Sequence, residues 1–520
     1  MINRRIIYGA CLVLLALGVQ LPAIQRPFLG HYASYQATVM ASISRNMIRE
    51  NFSEFLLPQT DSIIGGKRSL HLNQYPFPSL VAALGVKGFG GTLEFWGRFQ
   101  AIVCNLLSIL LLGVIVRKLF DEKTAWISAS IFALSPMTLI YGQAFMSESM
   151  SLFFLLLSLF LILKIGKAKS SYDGLILAGF SFGIAVTGRI HFILFFPVYF
   201  LYLLLNASNQ KPLKAIIFGL CALAMPVAWY AYTYFTGLHA ANIHTNIFLQ
   251  MSSQKPDAWK LIFHFDYWRK VFDTISQMML TPLLFPFLFL GVVLMRRKGN
   301  GFWLSVGGTI LGAFAILLAP EKVMRHDFYL YGLVPFVVII VSCGIAAIAG
   351  AFPALKTWRS IAVFLLLYFC ISSRFFLHPI FSAPANEQNV LRVGQIIQAE
   401  TKRDDLLIVF GDNPGTMLYY ADRAGWALEP NLVGKPLSAY QKNIQLESTV
   451  LAEADQLEKA MKSPITWFEH LHQQGAAYLV ASNRKELESL SELFHYLKER
   501  FQMVSAEKDD FYLFKLPLKN

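Results

Sequence analysis

Charge is scarce in this sequence. Only 15% of its 520 residues are Asp, Glu, Lys or Arg, against 55% hydrophobic residues that include 44 Phe. A soluble enzyme cannot hide that much apolar surface, so lipid must serve as part of the solvent. Cysteine is rarer still: Cys11, Cys104, Cys221, Cys343 and Cys370 all fall inside hydrophobic stretches. That placement, with no CxxC pair, excludes a disulfide framework and a cysteine metal site. The histidines His31, His71, His239, His244, His264 and His326 show no HxH or HExxH spacing. No cofactor is therefore expected, and a divalent metal stays open without a motif to hold it. There is no GxGxxG or P-loop spacing either, so the turn Gly411–Gly415 reads as structural before it reads as a phosphate site. Lys and Arg outnumber Asp and Glu by 45 to 32, a net charge of +13. The basic residues collect in short loops between apolar stretches, where topology accounts for them, and nucleic acid is not an expected partner.

What is abundant is apolar sequence in runs of bilayer length, about 20 residues each. The expected spans are 6–24, 96–116, 124–141, 150–166, 173–188, 190–206, 213–235, 280–295, 302–319, 329–350 and 358–376. The first, preceded by Arg4 and Arg5, ends in LPAIQRP rather than a small-residue cleavage site, and reads as an uncleaved span. On alternate loops come Arg117/Lys118/Lys123, Lys164/Lys167/Lys169, Lys211/Lys214, Arg296/Arg297/Lys298 and Lys356/Arg359. This positive-inside alternation puts the N-terminus in the cytoplasm and faces 25–95, 142–149, 188–190, 236–279, 320–328 and everything after 377 outward. The segment 78–93 is short and glycine-rich, and is expected as a re-entrant or interfacial helix.

Two outer loops carry amphipathic patterns. In ASYQATVMASISRNMIREN, Val39, Ile43, Met47 and Ile48 recur at helical spacing opposite Ser42, Arg45, Asn46 and Arg49, which predicts a helix lying on the membrane surface. The stretch WKLIFHFDYWRKVFDTI mixes aromatics and charge in the same way, as an interfacial anchor or a substrate contact. From 381 the pattern becomes polar and globular. A helix (VLRVGQIIQAETKRDD), a buried strand (LLIVF) and a recurring strand–helix alternation predict a small α/β extracytoplasmic domain over 381–520, after an all-α membrane domain of about eleven spans over 1–380.

Four segments then stand out by their order and common outward placement: RPFLGHYASYQATVMASISRNM, YPFPSLVAAL followed by EFWGRF, GQAFMSESMSLFFLLLSL, and RHDFYLYGLVPF. They resemble the GT-C superfamily of polyprenol-phosphate-sugar-dependent glycosyltransferases, in particular the bacterial protein mannosyltransferase and lipid A aminoarabinose transferase relatives. The resemblance covers about residues 20 to 350, and LLIVFGDNPGTMLYYADRAGW is similar to the outer domain of the same group. It implies a polyprenyl-phosphate-linked sugar as donor, an acceptor of unstated kind, inversion at the anomeric carbon, and a bacterial inner-membrane location with the C-terminal domain periplasmic. In such a reaction a carboxylate deprotonates the acceptor while cations hold the phosphate that leaves with the lipid.

The resemblance singles out Glu148 at the outer entrance of the fourth span as catalytic, where a carboxylate beside hydrocarbon is costly without a function. The alternative is a helix N-terminal Glu favoured by the dipole, with Ser147 as cap. Arg189 and His191 are candidates to bind the donor phosphate, although snorkelling also explains Arg189. Lys322, Arg325 and His326 form a second candidate phosphate patch just ahead of FYLYGLVPF, since outer loops are otherwise poor in basic residues. Arg98 is a candidate too, or an anchor at the start of its span. One departure matters: the family carries an acid just after the glycine of its first loop, whereas this chain reads Leu29-Gly30-His31-Tyr32-Ala33-Ser34. Either His31 takes the proton, or Glu50, Glu54 or Asp61 replaces the missing acid, or the chain binds lipid-linked sugar without catalysis. A transporter or flippase of lipid-linked glycans is a further alternative, against which stand the absence of internal repeats and the nearly charge-free span interiors.

Overall fold

The computed structural model describes residues 4–30, 32–64, 66–165, 172–207, 210–240, 243–246, 256–295, 299–352, 358–382, 385–411, 414–428, 463–505 and 510–517. The chain divides into two compact units. One comprises 1–26, 95–229 and 254–382, and the other 27–94, 230–253 and 383–520.

In chain order the helices are α1 (Arg4–Gln20), α2 (Tyr32–Arg49), α3 (Phe77–Phe89), α4 (Leu93–Leu119), α5 (Glu122–Leu134), α6 (Pro136–Tyr141), α7 (Glu148–Ile165), α8 (Asp173–Gly188), α9 (Phe196–Asn206) and α10 (Lys211–His239). They continue with α11 (Phe265–Asp273), α12 (Thr281–Met295), α13 (Asn300–Leu318), α14 (Pro320–Arg325), α15 (Val334–Ala351), α16 (Trp358–Phe381), α17 (Ala385–Glu400), α18 (Pro414–Ala421), α19 (Pro464–Gln473), α20 (Arg484–Glu488) and α21 (Ser491–Arg500). The apolar segments expected to span are all helical, and five of the described helices are long and apolar enough to cross a bilayer, or six if one bent pair is counted. That pair, 265–279 with 281–295, turns by 101°. The bend falls at Thr281, whose φ of 63° is a left-handed conformation that breaks the helix.

Proline sets the other irregularities. The stretch 124–141 is two helices, not one: Ser135 is extended (ψ 132°), as a residue before proline must be, and Pro136 opens α6. Short 3₁₀ turns, Ile190–Phe195 and Asp327–Leu333, precede α9 and α15, whose second residues are Pro197 and Pro335. Where helices cross closely, glycine permits it. Gly291 of α12 packs against the backbone of Ile340 in α15, and a Cβ on Gly344 would lie 2.8 Å from the Phe287 carbonyl oxygen.

The second unit is built on one eight-stranded sheet, β1 (Gln59–Ile64), β2 (Lys67–Leu72), β3 (Ile243–Asn246), β4 (Leu406–Phe410), β5 (Gly425–Leu428), β6 (Ala476–Ala481), β7 (Gln502–Met503) and β8 (Tyr512–Lys515), in the order β3-β2-β1-β5-β4-β6-β8-β7. Strands β5, β4 and β6 run parallel, β8 is antiparallel to β6, and β1 joins through Ser62 opposite Gly425. Segments 59–72 and 243–246 thus supply three strands to a sheet that the C-terminal segment extends. Side chains alternate across β4: Leu407 and Val409 pack with Val393, Ile397 and Leu418, while Ile408 and Phe410 pack with Phe468, Leu479 and Leu497.

In the same unit α2 does form, but not as a helix with one face in water. Ile43 and Met47 are buried as expected while Val39 and Ile48 are half-buried, and Met40, Ser42, Ser44 and Asn46 are buried too. Ser44 donates to the Ser79 carbonyl of α3 at 3.0 Å, and Thr38 meets Thr416 of α18 at 3.2 Å. The polar face closes on Asp61 of β1, which is 2% exposed and ion-paired to Arg45 at 2.5 Å, Arg68 at 3.0 Å and Arg49 at 3.8 Å. Arg45 also reaches Asp422 at 2.8 Å and lies over the Tyr419 ring, and Arg49 pairs with Asp422. The polar face expected in water is instead closed within the sheet unit, where Arg45 and Arg49 of α2 find Asp61 and Asp422.

Candidate active site

Residues 127–152 form an unbroken buried stretch running through α5, α6 and the start of α7. Within it Glu148, the first residue of α7, is 1% exposed. Its carboxylate is held by Arg189 at 2.5 Å. Arg189 is placed by the end of α8: its amide caps the helix on the Ala185 carbonyl, and its extended backbone (φ −146°, ψ 101°) turns the side chain back over α7. Gly188 lets this happen, since a Cβ there would overlap the Ser151 hydroxyl. Burial of a lone carboxylate here would be prohibitive, and the pair is what makes the position tenable.

The segment after α14 completes the site. Phe328 lies under the Arg189 guanidinium at 4.9 Å, a cation–π contact. The His326 ring stacks on Phe328 at 5.3 Å, and the His191 ring lies 5.2 Å from Tyr329. Tyr141 of α6 donates to the Asp327 carboxylate, and Ser149 donates to the Tyr141 carbonyl at 2.6 Å. His326 is pushed down to about 4, first by burial and then by the positive charges of Lys322, Arg325 and Arg189. Burial likewise lowers Lys322, with Glu321 opposing and Arg325 adding to the shift. At neutral pH His326 is therefore uncharged and offers a hydrogen bond rather than a cation.

The fold brings Glu148, Arg189, His191, His326 and Lys322 into one neighbourhood. Arg325 is 59% exposed and paired to Glu321 at 2.7 Å, which turns it to solvent. Arg98 is buried and donates to the Arg26 carbonyl, an anchoring role at the start of α4. His31 lies outside the described residues. Of the replacement acids, Asp61 is committed to three guanidinium groups and Glu54 accepts from Gln59 at 2.8 Å. Sequence reasoning passed over Tyr141, whose pairing with Asp327 across 186 residues has no local signal. Among the described residues no three His, Cys, Asp or Glu side chains converge to hold a metal.

Residues 73–232 match the sequence model of the dolichyl-phosphate-mannose-protein mannosyltransferase family. No curated protein matches the chain. Among solved structures it is similar to ArnT from Cupriavidus metallidurans bound to undecaprenyl phosphate, with 14% identity over 97% of either chain and a TM-score of 0.63. It is similar also to the Archaeoglobus fulgidus oligosaccharyltransferase complexed with zinc and sulfate, with 11% identity, 97% of this chain and 72% of that one, and a TM-score of 0.61. A third likeness is to the mycobacterial arabinofuranosyltransferase AftD, with 13% identity, 99% of this chain and 40% of that one, and a TM-score of 0.58. The resemblance read from the four sequence segments is borne out: this chain carries the fold of the GT-C glycosyltransferases.

Proposed function

We propose that the protein is a membrane glycosyltransferase that moves a sugar from a polyprenyl-phosphate donor to an acceptor at the outer face of a bacterial inner membrane. The N-terminus is cytoplasmic, 1–380 forms the transferase region, and 381–520 belongs to a periplasmic α/β domain. The observation that carries this reading is the buried Glu148–Arg189 pair, with Lys322, His191 and the neutral His326 around it. A site that holds one buried carboxylate on one guanidinium is suited to a phosphate that competes for that guanidinium.

Chemically, the acceptor oxygen attacks the anomeric carbon as the carbon–oxygen bond to phosphate breaks, and configuration inverts. The bond's electrons leave on polyprenyl phosphate, stabilised by Arg189 and Lys322. The acceptor's proton goes to Glu148 once the donor phosphate takes a share of Arg189, or to His31 in the first outer loop. Arg98 positions the start of α4, and Arg325 adds long-range attraction for the anion.

The test is transfer by the purified protein, using a panel of undecaprenyl-phosphate-linked sugars and crude envelope acceptors. Glu148→Gln is expected to reduce turnover by at least about a hundredfold, a general-base loss. Arg189→Leu is expected to weaken undecaprenyl phosphate binding. Full activity in Glu148→Gln would refute the catalytic assignment. The absence of an acid after Gly30 favours one second reading, a relative that binds donor without catalysis. Donor binding with no transfer to any acceptor, and transfer that appears in Ala33→Asp, support that reading instead.

A further inference from the structure

Beside the Glu148–Arg189 pair lies a group of uncharged polar side chains that the proposed chemistry does not use. Asn105, in the middle of α4, is fully buried, and neither its amide oxygen nor its amide nitrogen has a hydrogen-bond partner. Thr138 on α6, fully buried, and Ser147, 1% exposed, have unpartnered hydroxyls. Gln143, 4% exposed, donates to the Leu139 carbonyl at 3.2 Å but leaves its side-chain oxygen unmatched. These groups are neighbours. A Cβ on Gly142 would overlap both the Asn105 amide and the Thr138 carbonyl, so glycine there lets the 138–142 backbone close onto Asn105. Ser147 directly precedes Glu148, which sets the cluster next to the acid.

An unmatched polar atom in the interior is destabilising, and native structures hold few of them. Five such atoms concentrated beside one ion pair call for a ligand that supplies both donors and acceptors. The lining carries amides and hydroxyls but no charge, which is wrong for phosphate and right for the hydroxyls of a sugar. An amide presents one donor edge and one acceptor, so it can bridge two vicinal hydroxyls.

We propose that Asn105, Thr138, Gln143 and Ser147 form the subsite for the neutral sugar ring of the lipid-linked donor. This rests on the donor reading above and adds a division of labour: cations hold the phosphate, and this uncharged group holds the ring. A sugar that lacks the matching hydroxyl leaves these atoms unpaired and is rejected.

The experiment measures binding of two probes to the purified full chain: undecaprenyl phosphate, and a panel of undecaprenyl-phosphate-linked pentoses and hexoses. Asn105→Leu is expected to weaken the best sugar-bearing lipid about tenfold, the loss of roughly one well-placed hydrogen bond, while leaving undecaprenyl phosphate within about twofold. Because Leu removes two unmatched atoms at similar volume, the variant should melt no lower than the wild type. Thr138→Val and Ser147→Ala give the same comparison should Asn105→Leu fail to fold. If the variants bind both probes as the wild type does, or lose both equally, the subsite is overturned while the donor reading stands. If the wild type binds neither probe, both fall.

Discussion

Glu148 keeps its place in the interior only through Arg189, and that dependence makes the pair asymmetric in its consequences. Removing one partner of a buried pair leaves an uncompensated charge, which typically costs about 3–5 kcal/mol. His326 shows the opposite solution, in which the group gives up its charge. It titrates near 6.5 in an unfolded chain and near 4 here. Between those values the unfolded state binds more protons, so stability is fully present above pH 6.5 and is lost as pH falls toward 4. The expected outcome is a melting temperature in detergent that drops across this window more steeply for the wild type than for His326→Gln. Parallel pH profiles for the two proteins would contradict the assignment. The pairing of Tyr141 with Asp327 belongs to the same scale: neither residue is conspicuous alone, and only their meeting makes them part of the site.

At the scale of elements, prolines and glycines decide where helices stop and how closely they pack. The break at Ser135–Pro136 leaves α6 as a separate short helix, and α6 carries both Thr138 and Tyr141 toward the site. A single straight span over 124–141 would aim them elsewhere. The α12–α15 crossing depends on Gly291, whose Cβ would overlap the Ile340 carbonyl oxygen, a backbone atom that cannot swing aside. Gly291→Ala is expected to destabilise the protein by roughly 1–3 kcal/mol through overpacking. Gly113→Ala is expected to be nearly neutral, since its Cβ would make an ordinary 3.6 Å contact with Ala129. Thermal unfolding of both variants separates the cases, and equal melting points would show that the crossing yields.

At the scale of the whole molecule, the sheet unit draws on three distant parts of the chain. Ile63 of β1 sits in the same apolar cluster as Trp426 and Phe468, and α2 is pinned to Asp422 through Arg45 and Arg49. A fragment of residues 381–520 would expose the edge of β5 and the groups that α2 covers. Such an edge invites aggregation. The fragment is expected to be poorly soluble, with weakly dispersed amide resonances. A well-dispersed spectrum from a monomeric fragment would show that the C-terminal segment folds without the loops.

Some of this was legible in the residues alone. Apolar run length, helical period and the bias of Lys and Arg among loops are local properties, so the helical segments, the pattern of basic loops and the α/β character after 381 follow from reading along the chain. Glu148 and its basic neighbours were legible as residue types for the same reason. What packing alone decided are the encounters: Glu148 with Arg189, Tyr141 with Asp327, Asp61 with three arginines, and β1 beside β5. Their energies depend on distances between groups far apart in sequence, and tertiary packing sets those distances. The amphipathic face of α2 illustrates the limit, for its periodicity shows which residues share a side but not whether water or Asp61 meets them.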